Sequence, residues 1–231
     1  MELTGKYRHE LKYSISLADR MALVQRLRPL MQRDPHTDET GRYTIRSVYF
    51  DNYKDKALRE KRSGVQTREK FRIRYYNDDL SFITLEKKIK HNDLCKKLDA
   101  PLTAEEYQRL LQAPGPWMLE HPEALVGELY CKMKLQQLRP RVLVSYVREP
   151  YIYQAGNVRV TFDSHIRTSL FGRDFAEGTL QRHRRPRRHH LRGEVRRLSA
   201  RSHSRPVASG DPAPAGVFQV RGLPPVRLSN E

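Results

Sequence analysis

The sequence has few cysteines and no long apolar run. Only Cys95 and Cys131 are present, far apart in the chain, so neither a disulfide framework nor a cysteine-rich metal site is expected. No segment approaches the roughly 18 consecutive apolar residues of a membrane-spanning helix. The first residues, MELTGKYRHE, lack the apolar centre of a secretory signal. We therefore expect a cytoplasmic location.

Residues 173–231 contain no lysine, tyrosine or isoleucine, and all of their basic residues are arginines. Their scattered apolar residues are too few to build a core. We therefore expect two regions, a folded domain over residues 1–172 and a disordered, Arg- and Pro-rich tail over residues 173–231.

Positive charge dominates the composition. Lysine and arginine number 44 against 27 acidic residues, which gives a net charge of +17 and a pI of about 10.1. Such a balance favours an anionic partner, which is a nucleic acid, a phosphorylated small molecule or a polyanion.

Alternating patterns predict an antiparallel α+β domain with at least six strands. Ser16 with Asp19, and Thr103 with Glu106, have the spacing of capping boxes that open helices over 17–31 and 104–112. The first helix shows an apolar stripe formed by Leu17, Met21, Val24 and Leu27. Two further helices are predicted over 51–63 and 122–138. The predicted strands cover 6–14, 43–50, 70–76, 81–90, 94–98, 141–153 and 157–163.

The polar face of several predicted strands consists of cations spaced two residues apart. Lys70, Arg72 and Arg74 share one face of a strand, and apolar residues occupy the other. The same alternation recurs in three further strands, in the sets Lys6, Arg8, Glu10 and Lys12; Glu86, Lys88 and Lys90; and Arg159, Thr161 and Asp163.

Like charges on adjacent strands repel, so four such faces indicate a bound polyanion that offsets the repulsion. A barrel with these faces inward would be a cationic tunnel covered outside by helices. The interspersed carboxylates Glu10, Glu86 and Asp163 could hold a divalent cation or orient the cations. Solvated sheet faces are the simpler alternative.

A sheet that binds nucleic acid is the other alternative. It would need exposed aromatic side chains on the basic face, where bases could stack. Tyr7, Tyr13, Phe71 and Tyr75 instead fall on the opposite face. We therefore expect no specific nucleic-acid partner.

The order of these segments resembles the VTC (vacuolar transporter chaperone) domain, a polyphosphate polymerase domain of the CYTH or triphosphate-tunnel superfamily. The resemblance implies an eight-stranded antiparallel tunnel with flanking helices. It also implies transfer of the γ-phosphate of ATP to a polyphosphate chain, with Mn²⁺ or Mg²⁺ as cofactor. Family members often associate with membrane segments, so a membrane-bound partner is a further expectation. The matching stretches are YRHELKYSI, RSVYFDN, REKFRIRYY, TLEKKIK, RVLVSYVREPYI and VRVTFDSHIRTSL.

The resemblance also implies roles for particular residues of this chain. Their proposed action is electrostatic, positioning an in-line phosphoryl transfer and stabilising charge on its equatorial oxygens. Glu86 is the candidate metal ligand. The candidate catalytic residues are Arg72, Arg74, Lys88, Arg148 and Arg159, and the candidate phosphate-binding residues are Arg8, Lys12, Lys90, Lys96 and Lys97.

Two family elements that should follow residue 172 are missing: a strand resembling EVKYD, whose glutamate binds metal, and a late FSKY segment. Back-translation of residues 192–200, read one base later, permits Glu-Val-Lys-Tyr-Asp, with the glutamate at Arg192. The same phase permits Phe-Ser-Lys-Tyr from residue 217. We interpret the tail as a frameshifted reading that begins between residues 172 and 190. A genuine basic arm, and a zinc site at His183, His189 and His190, are the alternatives.

The frameshift reading has a physical consequence. Without its last strands the barrel would be incomplete and its edges open. We expect this chain to be inactive or unstable even though the domain type is that of a polymerase. Hydrolysis of triphosphates and non-catalytic binding of polyphosphate are the competing functions.

Overall fold

A single large sheet organises the structure. The computed structural model describes residues 8–92, 94–154, 158–170, 181–182, 189–196, 217–218 and 226–227, with side chains described over 12–92, 94–154 and 158–170. The strands are β1 Arg8–Ile15, β2 Gln32–Arg33, β3 Tyr43–Asp51, β4 Thr67–Tyr76, β5 Asp79–His91, β6 Leu94–Leu102, β7 Arg139–Tyr153, β8 Val158–Leu170, β9 Gln181–Arg182, β10 His189–Arg196, β11 Val217–Phe218 and β12 Val226–Arg227. The helices are α1 Leu17–Leu27, α2 Lys56–Arg62, α3 Ala104–Gln112 and α4 Ala124–Gln136, with a 3₁₀ turn at Pro116–Met118.

Eight strands follow one another around an antiparallel ring. Their order is β7–β3–β4–β5–β6–β1–β10–β8, and β8 pairs again with β7. The sheet is strongly curled. Its shortest described pairing is between β1 and β6, where Arg8 and Cys95 are the one pair among the described residues. The predicted α+β class and antiparallel tunnel architecture with flanking helices are confirmed.

One strand of this ring comes from the segment expected to be disordered. β10 pairs with β1 on one side and with β8 on the other, so that Arg192 lies between Lys12 and Thr161 in register. The structure here differs from the expectation of open edges after residue 172, because the backbone of 189–196 supplies a strand. Apart from β9, β10, β11 and β12, the tail lies outside the described residues. His183 of the alternative zinc site lies outside them too.

Two apolar clusters cover the outside of the ring. One lies beneath α3 and α4 and includes Val48, Phe71, Leu85, Leu110 and Leu129. The other lies beneath α1 and contains Val158, Val160 and Phe162 of β8. Burial of this surface is the main favourable contribution to folding. It leaves the opposite face of each strand, which is rich in cations on β4 and β5, directed into the ring.

The helices have the predicted caps. In both predicted capping boxes, Ser16–Asp19 and Thr103–Glu106, the side chain of each partner bonds to the backbone N–H of the other. In the described part of the chain the longest helix is α4, with 13 residues. No helix found there has the length and apolarity needed to cross a membrane.

The apolar stripe predicted for α1 is correct only in its second half. Val24 and Leu27 are buried as expected, together with Leu23. Leu17 and Met21 are about half exposed, at 49% and 55%. The first turns of α1 therefore extend beyond the apolar surface that its later turns cover.

Candidate functional site: the inner face of the strand ring

Most of the candidate residues on the strands share a surface that we call the inner face, meaning the side of the ring opposite the two apolar clusters. Strand register arranges it in rows. Arg72 on β4 lies between Tyr49 on β3 and Glu86 on β5. One row along, Lys70 lies opposite Lys88. Because neighbouring strands hold these rows in fixed register, the sheet itself positions the charges.

Three lysines form one row across β4, β5 and β6. Lys70 lies opposite Lys88, which lies opposite Lys97. Burial, together with the positive charges of Arg72, Lys88 and Lys12, lowers the pKa of the Lys70 ammonium to about 8. Five cations therefore lie close together in one part of the inner face, where a bound anion would meet several of them at once.

Glu86 is the carboxylate at the centre of the cations. It is only 2% exposed. Arg72 donates to its Oε2, while Arg74 Nη1 lies 3.5 Å and Lys97 Nζ 3.1 Å from its Oε1. Burial acts to raise the pKa of Glu86, but Arg74, Arg72 and Lys97 outweigh it and hold that pKa at about 2. Glu86 is therefore ionised at every physiological pH and fixes the orientation of both arginines.

Arg148 is held by a buried, bidentate ion pair with Asp163. Its Nε and Nη2 donate to the two carboxylate oxygens, both at 2.7 Å. Tyr146 links this pair to Arg74, because its hydroxyl accepts from Arg148 Nη2 at 3.4 Å and from Arg74 Nη2 at 3.3 Å. Two of the predicted catalytic arginines thus share one tyrosine. Asp163 orients a cation, which is one of the two roles that the sequence left open for it.

Arg159 lies near one end of the inner face. It forms an ion pair with the buried carboxylate of Asp34 and donates to the Tyr43 hydroxyl at 3.1 Å. Asp34 also accepts from the backbone N–H of His36. The buried Nε atom of Arg159 has no hydrogen-bond partner among the described residues.

Tyr49 is a functional candidate that the sequence analysis missed. Arg72 Nη1 donates to its hydroxyl at 3.0 Å, and Lys70 Nζ lies 5.5 Å from its ring centroid. Burial would raise the pKa of this phenol, but Arg72, Lys70 and Arg74 lower it to about 7. The phenol therefore titrates near neutral pH, in direct contact with a predicted catalytic arginine.

A signal for the inner tyrosines exists in the sequence. Tyr43, Ile45, Ser47 and Tyr49 alternate along β3, on the face that pairs with the arginines of β4. Only knowledge of the β3–β4 register shows that this face, and not the one carrying Arg46, turns inward. The sequence alone therefore does not identify them.

The remaining predicted residues divide between the two faces. Lys12 lies close enough to Lys70 to lower the pKa of that lysine. Lys90 follows Lys88 on the inner face of β5. Lys96 lies opposite Ile89 on the outer face, so the structure does not bring it to the others. Arg8 belongs to β1, and its side chain lies outside the described residues.

The described carboxylates do not fit a divalent metal site. Glu86 already contacts three cations, and Asp99, which lies opposite it, pairs with Lys97 at 2.9 Å. No group of three or more His, Cys, Asp or Glu residues suited to a metal ion occurs among the described residues. Among the described residues Glu86 is a partner of Arg72 and Arg74. We therefore derive no chemical step from a metal ion bound by Glu86.

Comparison with known proteins agrees with this geometry. The sequence model of the VTC domain matches residues 7–203, which is most of the chain. The chain belongs to the VTC domain family. The matched region of this VTC domain includes β10. No match was found among curated proteins.

One solved structure shares the fold of this VTC domain. A Bacillus halodurans protein described as a candidate adenylate cyclase superposes with a TM-score of 0.52 at 16% identity, covering 83% of this chain and 82% of its own. The PH1012 protein from Pyrococcus horikoshii gives a TM-score of 0.42 at 15% identity, over 84% of this chain and 80% of its own. At 16% identity the likeness to the Bacillus halodurans protein shows a shared fold alone.

Proposed function

We propose that this VTC domain binds ATP and polyphosphate on its inner face and transfers the γ-phosphate of ATP to the polyphosphate chain. Membership of the family supports a function related to nucleotides or polyphosphate. The proposal goes further, to a particular reaction and to particular residues.

The observation that carries the proposal is the lysine row. Lys70, Lys88 and Lys97 succeed one another on three adjacent strands, and Lys12 and Arg72 lie beside them. A single phosphate would neutralise only part of such an array. A linear polyanion of closely spaced phosphoryl groups matches it along its length, because each lysine can meet a separate group as a compact positive charge.

The arginines act on the phosphoryl group that is transferred. Guanidinium groups grip phosphoryl oxygens in a fork, and Glu86 and Asp163 hold Arg72, Arg74 and Arg148 in fixed orientations before substrate arrives. In the proposed step a terminal oxygen of the polyphosphate attacks the γ-phosphorus of ATP. The bond from that phosphorus to the β-bridging oxygen breaks, and ADP leaves with its electron pair. The arginines stabilise the equatorial oxygens of the transferred group, and no protein nucleophile is required.

Non-catalytic binding of polyphosphate is the second candidate function. It is favoured by the lack of a metal-binding carboxylate group among the described residues. The same row of lysines would then hold the polyanion without turnover.

Product analysis tests these functions. The full chain is incubated with ATP, a short polyphosphate primer and either Mn²⁺ or Mg²⁺, and the products are separated by gel electrophoresis and assayed for orthophosphate. Long chains with matching release of ADP support the polymerase. Orthophosphate alone identifies a hydrolase, and tight primer binding without turnover identifies a binder. Failure to bind primer or ATP would contradict the proposal and its second candidate together.

A further inference from the structure

One end of the inner face is apolar, in contrast to the cationic remainder. Tyr43, Ile45 and Tyr146 are buried there, and Tyr76 and Ile166 pack against them. These side chains come from four strands of the ring. A cluster of this kind is unexpected on the inside of a cationic ring, because phosphate groups gain nothing from it.

An exposed aromatic ring continues this cluster. Phe82 is 64% exposed, although it alternates on β5 with Thr84 and Glu86 of the inner face. Its ring centroid lies 6.3 Å from that of Tyr76, at an interplanar angle of 35°. Tyr76 in turn contacts Tyr43 edge-on at 5.6 Å. Exposing a phenylalanine to this extent costs the free energy that its burial would have contributed. A ligand that covers it would recover that free energy.

The aromatic cluster is hydrogen-bonded directly to the candidate catalytic arginines. The Tyr146 hydroxyl accepts from Arg74 and Arg148, and the Tyr43 hydroxyl accepts from Arg159. Along β4, Tyr76 and Arg74 are neighbours on one face, about 7 Å apart at the usual rise of a strand. A ligand with a flat apolar group at one end and phosphates at the other therefore fits the two parts at once.

We propose that Phe82 and Tyr76 form a stacking platform for the nucleobase of the triphosphate, so that the base binds at this end of the ring and the phosphates extend towards Arg74 and Arg148. This inference rests on the proposed function, because it places the nucleoside part of the same substrate. Stacking on an aromatic face does not depend on the identity of the base. The platform should therefore accept all common nucleoside triphosphates, with purines ahead of pyrimidines because their stacked area is larger.

The test compares ATP with inorganic tripolyphosphate, which has the phosphates and no base. Binding of each is measured by calorimetry in the wild type and in Phe82→Ala and Phe82→Leu. Phe82 is largely exposed, so both variants should fold. Phe82→Leu retains an apolar side chain but has no ring. The matched control is Tyr53→Ala, which removes another exposed aromatic, 56% accessible, in the β3–α2 connection.

We expect both Phe82 variants to weaken ATP binding about tenfold and to leave tripolyphosphate binding unchanged. The control should change neither. If tripolyphosphate binds but the Phe82 variants bind ATP as well as the wild type does, the platform is wrong while the phosphate site stands. If tripolyphosphate itself does not bind the wild type, the proposed function fails and the platform with it.

Discussion

Lys70 on β4 and Lys88 on β5 lie directly opposite each other on the inner face of the ring. Such a pairing of like charges costs about 0.2–1 kcal/mol in a sheet. Lys97 extends the row on the far side of Lys88. Lys97 also pairs with Glu86 and Asp99, which offset part of the repulsion. A bound polyanion would add negative charge beside all three lysines, so the row favours the complex.

Removal of one lysine from the row should weaken tripolyphosphate binding much more than it changes the stability of the unliganded protein. We predict that Lys88→Gln changes the free energy of unfolding of the unliganded protein by no more than about 0.5 kcal/mol, because the contact with Lys70 that is lost is between like charges. The same change should weaken tripolyphosphate binding about tenfold or more. Urea denaturation with and without tripolyphosphate measures both effects. The control is Lys61→Gln on α2, which should alter neither. Loss of stability without loss of affinity would contradict the prediction.

ATP affinity should fall as the pH rises from 7 to 9. The pKa of Lys70 is lowered to about 8 and that of Tyr49 to about 7. Over this range the empty site therefore loses a positive charge and gains a negative one. The charge of ATP is nearly constant above pH 7, since the last pKa of its terminal phosphate is about 6. A bound polyanion raises both side-chain pKa values, so binding takes up protons.

The measurement is calorimetry at several pH values in two buffers with different enthalpies of ionisation. We expect a loss of affinity of about tenfold or more from pH 7 to pH 9, with net proton uptake on binding. In the variant that combines Tyr49→Phe with Lys70→Arg, neither group titrates, and the profile should be nearly flat. An affinity that rises with pH in the wild type would contradict this account.

Glu86 should act as the anchor of Arg72 and Arg74. We predict that Glu86→Gln lowers the free energy of unfolding by about 3–5 kcal/mol, because buried cations lose their partner. Tripolyphosphate should restore more stability to this variant than to the wild type, since the ligand replaces the missing negative charge. Thermal unfolding over a range of tripolyphosphate concentrations measures both effects.

The exposed Glu120 supplies the control for that experiment, as Glu120→Gln. Binding of Mn²⁺ in the absence of nucleotide should be the same in wild type and Glu86→Gln. A large loss of Mn²⁺ binding in Glu86→Gln alone would instead identify Glu86 as a metal ligand.

Much of this structure could be predicted from sequence because period-two alternation encodes the faces of a strand. Arg72 and Arg74 on one face of β4, with Phe71 and Ile73 on the other, sufficed to predict a charged interior and an apolar exterior. The helix caps were equally local. Pairing between strands is not local. Strand pairing places Tyr49 beside Arg72. It also places Lys97 on the inner face and Lys96 on the outer face.

The tail is a second region in which the sequence did not predict strand pairing. Composition predicted no strand there, because arginine and proline favour solvated chain. The strand β10 at 189–196 is determined by the two unpaired edges of β1 and β8, which offer backbone hydrogen bonds to any segment that can reach them. Backbone hydrogen bonds between strands depend little on the type of side chain, so amino-acid composition did not predict this strand.

The frameshift interpretation remains a prediction about the gene. We expect the nucleotide sequence over codons 172–190, determined again from its source, to differ by a change of reading frame. The corrected reading should then encode Glu-Val-Lys-Tyr-Asp at positions 192–196, within β10. An unaltered frame, found in both genomic DNA and messenger RNA, would show that the Arg-rich tail is genuine.

The central claim is that the inner face binds a chain of phosphoryl groups, and titration with inorganic tripolyphosphate tests it most directly. The account predicts one site per chain and an affinity that falls steeply as salt rises from 50 to 200 mM, because the contact is between opposite charges. It also predicts loss of binding in a variant that combines Arg72→Ala with Lys88→Ala. Binding that is absent in the wild type, or that persists undiminished in the double variant, would contradict it.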